Sequence, residues 1–284
     1  MASKSNSNSN KNMKNLNDAI ELHQIFLDEY IKTDNNDEFI KQMDDFREFL
    51  KNACKLSSGF MQLYVQFKEQ EKFHKYKDFF MFCESFHERL IEVYEKENIL
   101  QLDQSFSTIK DYLSLEYNRK FYQDILTEFD NLDEYMKVSN NFVMVGCGSF
   151  PITMFVAHEK YNKLNITGID SSAEAIMNAK KLKSKLSYKN ILFDIIDGIN
   201  YDYSKFDTIF IANLVIPKTK VLKRIAMTCC KGTKILLRVP IVYGSLLSED
   251  VNYASMNSFK LVDNIEPSNN TDDILYKLLV LEKI

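Results

Sequence analysis

Glycine and proline are scarce in the first half of this 284-residue chain, and their distribution predicts its architecture. Of the seven glycines only Gly59 precedes residue 145, and all four prolines follow it. Because both residues interrupt helices, their absence favours a helical first half. Apolar residues recur there at helical spacing, which predicts helices from about residue 14, including segments near 58–75, 77–101 and 105–130. Residues 1–13 are rich in Ser, Asn and Lys and predict a disordered tail.

Cysteine and histidine are too sparse to suggest a metal site or a disulfide framework. The five cysteines show no CxxC spacing, and the four histidines lie in four separate helical patterns. An odd number of cysteines without metal-ligand spacing is typical of reduced thiols. The sequence therefore predicts a cytoplasmic protein without a bound metal.

Long apolar runs and excess positive charge are also missing. No apolar run reaches the roughly 18 residues that a membrane-spanning helix requires, and the polar first residues lack the apolar core of a secretion signal. The net charge of −4 provides no general attraction to nucleic acids or anionic membranes. We therefore expect neither as a partner, and the sequence leaves open whether the chain forms a homodimer.

The second half contains an alternation of strand and helix patterns. We expect strands near residues 142–146, 165–169, 190–195, 207–212, 234–239, 258–263 and 275–282. Helices are expected near residues 150–161, 172–186, 217–229 and 243–250. This alternation predicts an α/β fold, in which a mostly parallel, Rossmann-like sheet over residues 139–284 follows an all-α domain over residues 14–138.

The most informative segment runs from Phe142 to Asp170. A buried-strand pattern ends at Gly146-Cys147-Gly148, where missing side chains permit a tight turn and close approach of the backbone to a ligand. A helix that Pro151 can begin and a second strand lead to Asp170, about twenty residues past the glycines, where an acid can bond both ribose hydroxyls. The spacing predicts a nucleotide site. The alternative is an ordinary βαβ turn in which Asp170 caps the next helix.

The details of the turn indicate which nucleotide is bound. A dinucleotide fold has a third glycine in the pattern GxGxxG, and this chain has Pro151 at that position. S-adenosylmethionine (SAM) is therefore favoured over NAD. Methyltransferases that bind SAM commonly have an acid two residues before the first glycine, whereas this chain has Met144 there. We therefore expect the methionine end of SAM to be held differently.

Further candidate residues follow later strands, because ligands of open α/β sheets bind beyond the carboxyl ends of the strands. Asp197 can bond the adenine amino group or can be only a turn acid before Gly198, and it is preferred over Asp194, which falls inside a strand. Asn213 can contact the methionine part of SAM or only cap the helix near residue 217. The predicted cofactor site comprises Gly146, Gly148, Ser149, Pro151, Asp170, Ser171, Asp197 and Asn213.

These residues resemble a known family. Residues 145–153, VGCGSFPIT, are similar to the glycine loop of nicotianamine synthases and more similar to that of the bacterial staphylopine-type synthases of opine metallophores. The resemblance extends to residues 168–170, 216–217 and 43–49. It implies transfer of the 3-amino-3-carboxypropyl (2-aminobutanoate) group of SAM, the co-substrate, to an amino group, with release of methylthioadenosine.

The resemblance also implies catalytic residues in the helical half. Residues 90–96 are similar to the family segment with the catalytic glutamate, which makes Glu92 the expected general base and Glu95 its competitor. Burial of a carboxylate raises its pKa towards a value that suits a base. Tyr122 is expected to support acceptor and base, with Tyr117 as the alternative. A solvated acidic helix face and simple core packing would explain the same residues without catalysis.

The acceptor is expected to be an amino acid bound near Tyr117 and Arg238. Arg238 ends the strand near 234–239, where it can pair with a carboxylate of donor or acceptor or form a surface ion pair. The opine-like match over residues 43–49 favours histidine, of either chirality. Three alternatives stay open: nicotianamine synthase proper, which repeats the transfer, an ordinary small-molecule methyltransferase, and a SAM-binding protein without activity.

Overall fold

The structure, a computed structural model, describes residues 116–241, 251, 257–265 and 276–284. The helices predicted before residue 116 and near 243–250 lie outside these residues. The helices are α1 (Glu116–Asn131), α2 (Asp133–Met136), α3 (Ile152–Lys160), α4 (Ala173–Lys185) and α5 (Lys218–Thr228). The strands are β1 (Asn141–Val145), β2 (Asn165–Asp170), β3 (Ile191–Ile195), β4 (Thr208–Ile211), β5 (Lys234–Pro240), β6 (Phe259–Ile265) and β7 (Tyr276–Lys283). Between residues 139 and 284, every described element is one that the sequence predicted.

The seven strands form one sheet in the order β3-β2-β1-β4-β5-β7-β6. Strands β1 to β5 are parallel, and β7 runs antiparallel between β5 and β6. The predicted Rossmann-like, mostly parallel sheet is therefore confirmed. Strand order reverses between β1 and β4, and open α/β sheets bind ligands at such a reversal, beyond the carboxyl ends of the strands. We call the loops that follow β1, β2, β3 and β4 the carboxyl edge.

The central strands β1 and β4 are buried on both faces, which explains why they read as continuous apolar runs. Along β1, Phe142 and Met144 belong to the core beneath α1, α3 and α4, whereas Val143 and Val145 belong to the core beneath α5. Successive side chains of a strand point to opposite faces, so a strand enclosed by two cores has no polar face.

Helix α3 is buried over its first six residues, 152–157, and its packing explains how this fold dispenses with the third glycine. A Cβ on Gly168 of strand β2 would lie 2.7 Å from Met154 Sδ and 3.0 Å from Cys147 Sγ. The space for close approach of helix and sheet is therefore created on the neighbouring strand.

Helices α1 and α2 pack against the sheet, although the sequence analysis assigned them to the helical domain ending at residue 138. Ile125 and Phe129 of α1 and Met136 of α2 are buried in the core that β1 and α3 share. The rest of the proposed division into domains lies outside the described residues and stays a prediction. None of the described helices has the length and apolar character needed to cross a bilayer.

Candidate functional site

The glycine turn after β1 has the backbone conformation that the sequence predicted. Gly146 and Gly148 have φ of +72° and +67°, in the left-handed region that favours glycine. The Gly146 and Cys147 N–H groups both donate to the Ile169 carbonyl, at 2.9 and 3.1 Å. A Cβ on Gly146 would lie only 2.5 Å from Val215 Cγ2, in the loop after β4. The turn therefore closes against both neighbouring strand ends, β2 and β4.

Asp170 lies against this turn, as its spacing from the glycines predicted. Its Oδ2 accepts a hydrogen bond from the Gly148 N–H at 3.0 Å, and its Oδ1 accepts one from the Ser172 N–H at 2.9 Å. A carboxylate oxygen can accept two hydrogen bonds, so each oxygen keeps capacity for a ribose hydroxyl. The carboxylate is thus held in a fixed orientation by backbone of both loops.

The remaining residues predicted in these two loops occupy the helix starts. Pro151 is the N-cap of α3 and has no side-chain hydrogen bond, while Ser149 is buried beside it. Ser172 caps α4, where its Oγ accepts from the Ala175 N–H at 3.1 Å. Asp170 is therefore not the cap of α4, and Ser171, the predicted cofactor contact, is an exposed residue between the two.

Asp197 lies two residues beyond the end of β3 and forms a turn. Its Oδ1 accepts from the Ile199 N–H at 3.0 Å, as expected for a turn acid. Asp194 lies inside β3, paired in register with Ile169. The turn places the Asp197 carboxylate at the carboxyl edge, and its contact with adenine stays a proposal.

The helix that follows the loop after β4 begins with a residue that the sequence analysis missed. Lys218, the first residue of α5, is fully buried, and its Nζ donates to the Asn213 carbonyl. The N-cap of α5 is Pro217, with no side-chain cap, so the structure does not show Asn213 capping this helix. No sequence signal distinguished Lys218, because the sequence contains 36 Lys and Arg residues and most residues of these types lie at protein surfaces.

Tyr122, the predicted catalytic tyrosine, is not brought to the glycine turn. Its hydroxyl donates to Glu159 Oε2 at 3.1 Å, and the Tyr188 hydroxyl donates to Oε1 at 2.6 Å. Glu159 lies seven residues after Ile152, so α3 separates it from the turn by about 10 Å of helix rise. Burial is the larger cause, and the negative charge of Glu159 the smaller one, that raise the pKa of Tyr122 to about 12. Its hydroxyl therefore stays protonated at neutral pH. Tyr117, the alternative, lies in the first turn of α1.

Arg238 pairs with a carboxylate of the protein, whereas the sequence analysis expected a carboxylate of donor or acceptor. Its Nε and Nη2 donate to Glu128 of α1 at 3.2 and 2.9 Å, and Nη2 also contacts Thr153 Oγ1 at 3.4 Å. The guanidinium lies over the rings of Phe210 and Tyr276, 4.7 and 4.8 Å from their centres. The alternative was a surface ion pair; Arg238 does form an ion pair, but the pair is buried, because only 6% of the Arg238 side chain is exposed.

Glu92 and Glu95, the candidate bases, lie outside the described residues. Among the residues that the structure describes, no three His, Cys, Asp or Glu side chains are grouped as a metal site would require. The site that these residues do form is the carboxyl edge, with the turn at Gly146, the carboxylate of Asp170 and the loop after β4.

Comparison with known proteins identifies the family. Among solved structures, a mutant of MtNAS in complex with S-adenosylmethionine has a TM-score of 0.72 at 16% identity, covering 93% of this chain and 97% of that chain. MtNAS in complex with MTA and tNA has a TM-score of 0.74 at 15% identity, covering 94% and 97%. At such identity the likeness shows a shared fold. No curated protein matches the chain. Residues 52–284 match the family model for nicotianamine synthase protein, and because this match covers most of the sequence, the chain belongs to the nicotianamine synthase family.

Proposed function

We propose that this chain transfers the 3-amino-3-carboxypropyl group of SAM to the amino group of an amino acid and releases methylthioadenosine. Membership of the nicotianamine synthase family supports the proposal. The observation that carries it on this chain is the glycine turn bonded to Asp170, an arrangement suited to a nucleoside. MtNAS, which shares the fold, has been solved with S-adenosylmethionine and with MTA.

The residues of the carboxyl edge fit SAM. Gly146 and Gly148 bring backbone to the site without side chains, and Asp170 keeps one acceptor position on each oxygen for a ribose hydroxyl. We assign the adenine amino group to Asp197. The methionine end is assigned to the side of Asn213, because Met144, buried beneath the turn, carries no charge that could bind it.

The reaction is selected by orientation. When bound, SAM supplies a sulfonium that makes all three of its attached carbons susceptible to displacement. The protein must therefore hold the acceptor amine in line with the side-chain methylene rather than the methyl group. It must also keep the amine unprotonated, for which we propose Glu92 as the general base and Glu95 as its competitor. Tyr117 is the better candidate for supporting the acceptor, since Tyr122 is bonded to Glu159.

We propose histidine as the acceptor and an opine-type metallophore as the end product of the route. The proposal rests on residues 145–153 and 43–49, which are more similar to the staphylopine-type synthases than to nicotianamine synthases proper. Nicotianamine synthases proper repeat the aminobutanoate transfer, so their product carries more aminobutanoate units. The two branches are therefore separable by mass.

A product assay tests the proposal. The protein is incubated with SAM and a panel of amino acids that includes both enantiomers of histidine, and the products are identified by mass spectrometry. We expect methylthioadenosine and a histidine adduct heavier by one aminobutanoate. Asp170→Ala serves as the background control, because SAM also releases methylthioadenosine without an enzyme. A product with several aminobutanoate units and no histidine would assign the chain to the nicotianamine branch, and S-adenosylhomocysteine with a methylated acceptor would refute the reaction class.

The base is tested by a matched pair of substitutions. Glu92→Gln keeps the shape of the side chain but cannot take a proton, so turnover should fall by roughly 10²–10⁴ with SAM affinity nearly intact. Glu95→Gln is the control and should leave turnover close to normal. The opposite result would shift the alignment of residues 90–96 and transfer the role of base to Glu95.

A further inference from the structure

Lys218 differs from every other lysine whose side chain the structure describes, because it alone is buried. It is 0% exposed and ranks among the largest fully buried side chains. Lys220 and Lys223, on the same helix, are exposed. The backbone of α5 thus directs one lysine inward at its first residue, immediately after the loop from β4.

Burying an ammonium group is costly unless hydrogen bonds or an opposite charge compensate for its lost hydration. Transfer of a charged amine from water to a protein interior carries a large desolvation penalty, which hydrogen bonds must offset. A methionine of similar length would fill the same space without that penalty. One contact that distinguishes lysine from methionine here is the hydrogen bond from Nζ to the Asn213 carbonyl. That bond connects the first residue of α5 back to the start of its own loop.

The loop that Lys218 holds forms one wall of the carboxyl edge. The Ala212 N–H donates to the Val145 carbonyl at 3.1 Å, which joins the start of the loop to the end of β1. Val215 then fills the space next to Gly146, with its Cγ2 2.5 Å from the position of a Gly146 Cβ. A shift of this loop would therefore change the space beside the glycine turn directly.

We infer that Lys218 is a positioning residue that fixes residues 212–217 against the glycine turn and so sets the β4 side of the SAM site. Its ammonium acts on the loop backbone through Asn213 and does not need to touch the ligand. The ligand in this inference rests on the proposed function, whereas the position of the loop does not. Two independent measurements can therefore separate them.

The experiment replaces Lys218 by Met, which keeps the length and removes the donors. In the ligand-free protein, the backbone amide resonances of Gly146 and Val215 should shift in two-dimensional NMR spectra. By calorimetry, the Kd for SAM should rise about tenfold, because part of the binding free energy would then be used to order the loop. In steady-state kinetics, KM for SAM should rise more than kcat falls, because the ground state and the transition state use the same wall.

Two control variants distinguish positioning from loss of stability. Lys220→Met removes an exposed charge from the same helix and should change neither readout. Ile225→Val removes a buried methyl group from α5, which should lower the melting temperature without moving the Gly146 resonance or the Kd. If Lys218→Met does not fold, Lys218→Gln, which keeps a donor on a shorter side chain, provides the same two readouts with smaller changes.

The outcomes are unambiguous for the inference. Unchanged Gly146 and Val215 resonances in a folded Lys218 variant would overturn it, whatever the ligand. Shifted resonances with unchanged SAM affinity would also overturn it, since the loop would then not form a wall of the site. If the unaltered protein failed to bind SAM, the proposed function would fail, and the resonances alone would decide whether Lys218 positions the loop.

Discussion

At the carboxyl edge Asp170, Asp197 and Lys218 bond to loop backbone, whereas one group of side chains at the opposite edge of the sheet bond to one another. Asp170 accepts from two backbone N–H groups, Asp197 from one, and Lys218 donates to a carbonyl. We call the second group the amino-edge cluster; its members are Tyr122, Asp130, Glu159, Lys160 and Tyr188. There two tyrosine hydroxyls share the Glu159 carboxylate, and Lys160 pairs with Asp130.

The difference between the two edges separates a ligand site from a cluster that holds helices together. Side chains that bond to backbone fix the shape of loops, and such fixed loops are what a ligand needs in order to bind without reorganising the protein. Side chains that bond to each other across α1, α3 and the segment before β3 connect elements to one another. We therefore expect substitutions at the carboxyl edge to change SAM affinity and substitutions in the amino-edge cluster to change stability alone.

The largest effect is expected for Asp170→Ala. Loss of two charge-assisted hydrogen bonds to the ribose, at about 1.5–3 kcal/mol each, should weaken SAM binding by roughly a hundredfold or more, as measured by calorimetry. Asp202→Ala is the matched control, because the Asp202 carboxylate also accepts the backbone N–H two residues ahead, at 3.0 Å. It lies away from the glycine turn, since the N–H of the next residue, Tyr203, donates to Thr228 Oγ1 at the C-terminal end of α5. Equal SAM affinity of a folded Asp170→Ala variant and the control would remove the nucleoside from this edge.

A smaller effect on SAM affinity is expected for Gly146→Ala, and Gly232→Ala is its matched control. Both glycines have positive φ, +72° and +88°, which costs alanine about 1–2 kcal/mol. At Gly146 the added methyl group also meets Val215 at 2.5 Å, whereas at Gly232 nothing lies within 4 Å. Overpacking should add about 1–3 kcal/mol to the destabilisation at Gly146, measured by urea unfolding. SAM affinity should fall only in Gly146→Ala, and equal losses in both variants would contradict the tight closure of the turn.

The smallest effect is expected for Tyr122→Phe, which removes one hydroxyl from the amino-edge cluster. Loss of the bond to Glu159 should lower the free energy of unfolding by about 1 kcal/mol at pH 7 and leave turnover and SAM affinity unchanged. The raised pKa of Tyr122 means that its contribution is complete below pH 10 and is lost as the pH rises towards about 12. The difference between the two proteins in urea unfolding should therefore shrink over that range.

Tyr117→Phe is the contrasting variant for catalysis. If Tyr117 supports the acceptor, its loss should reduce turnover, and Tyr122→Phe should not. A large loss of turnover in Tyr122→Phe with intact SAM affinity would break the comparison between the two edges and restore Tyr122 as the catalytic tyrosine.

The parts of the site that the sequence predicted are those whose signals are local. The strands and helices after residue 139 follow from apolar periodicity, and the turn at Gly146 follows from two glycines at the end of a strand. The position of Asp170 beside that turn follows from the length of one βαβ unit. Turn conformation and strand length depend on neighbouring residues, so they can be read from the order of amino acids.

What only the tertiary structure decided concerns partners that are distant in the sequence. Arg238 meets Glu128, 110 residues away, because α1 packs against the sheet on the face where β5 presents its arginine. Tyr122 is bonded at the far end of α3, and Lys218 is buried while Lys220 and Lys223 of the same helix are exposed. The order of residues determined which elements form and where the glycine turn lies. Packing of the whole sheet sets which faces those elements bury against each other. That packing decided which charged side chains lie at the carboxyl edge, which join helices in the amino-edge cluster and which stay at the surface.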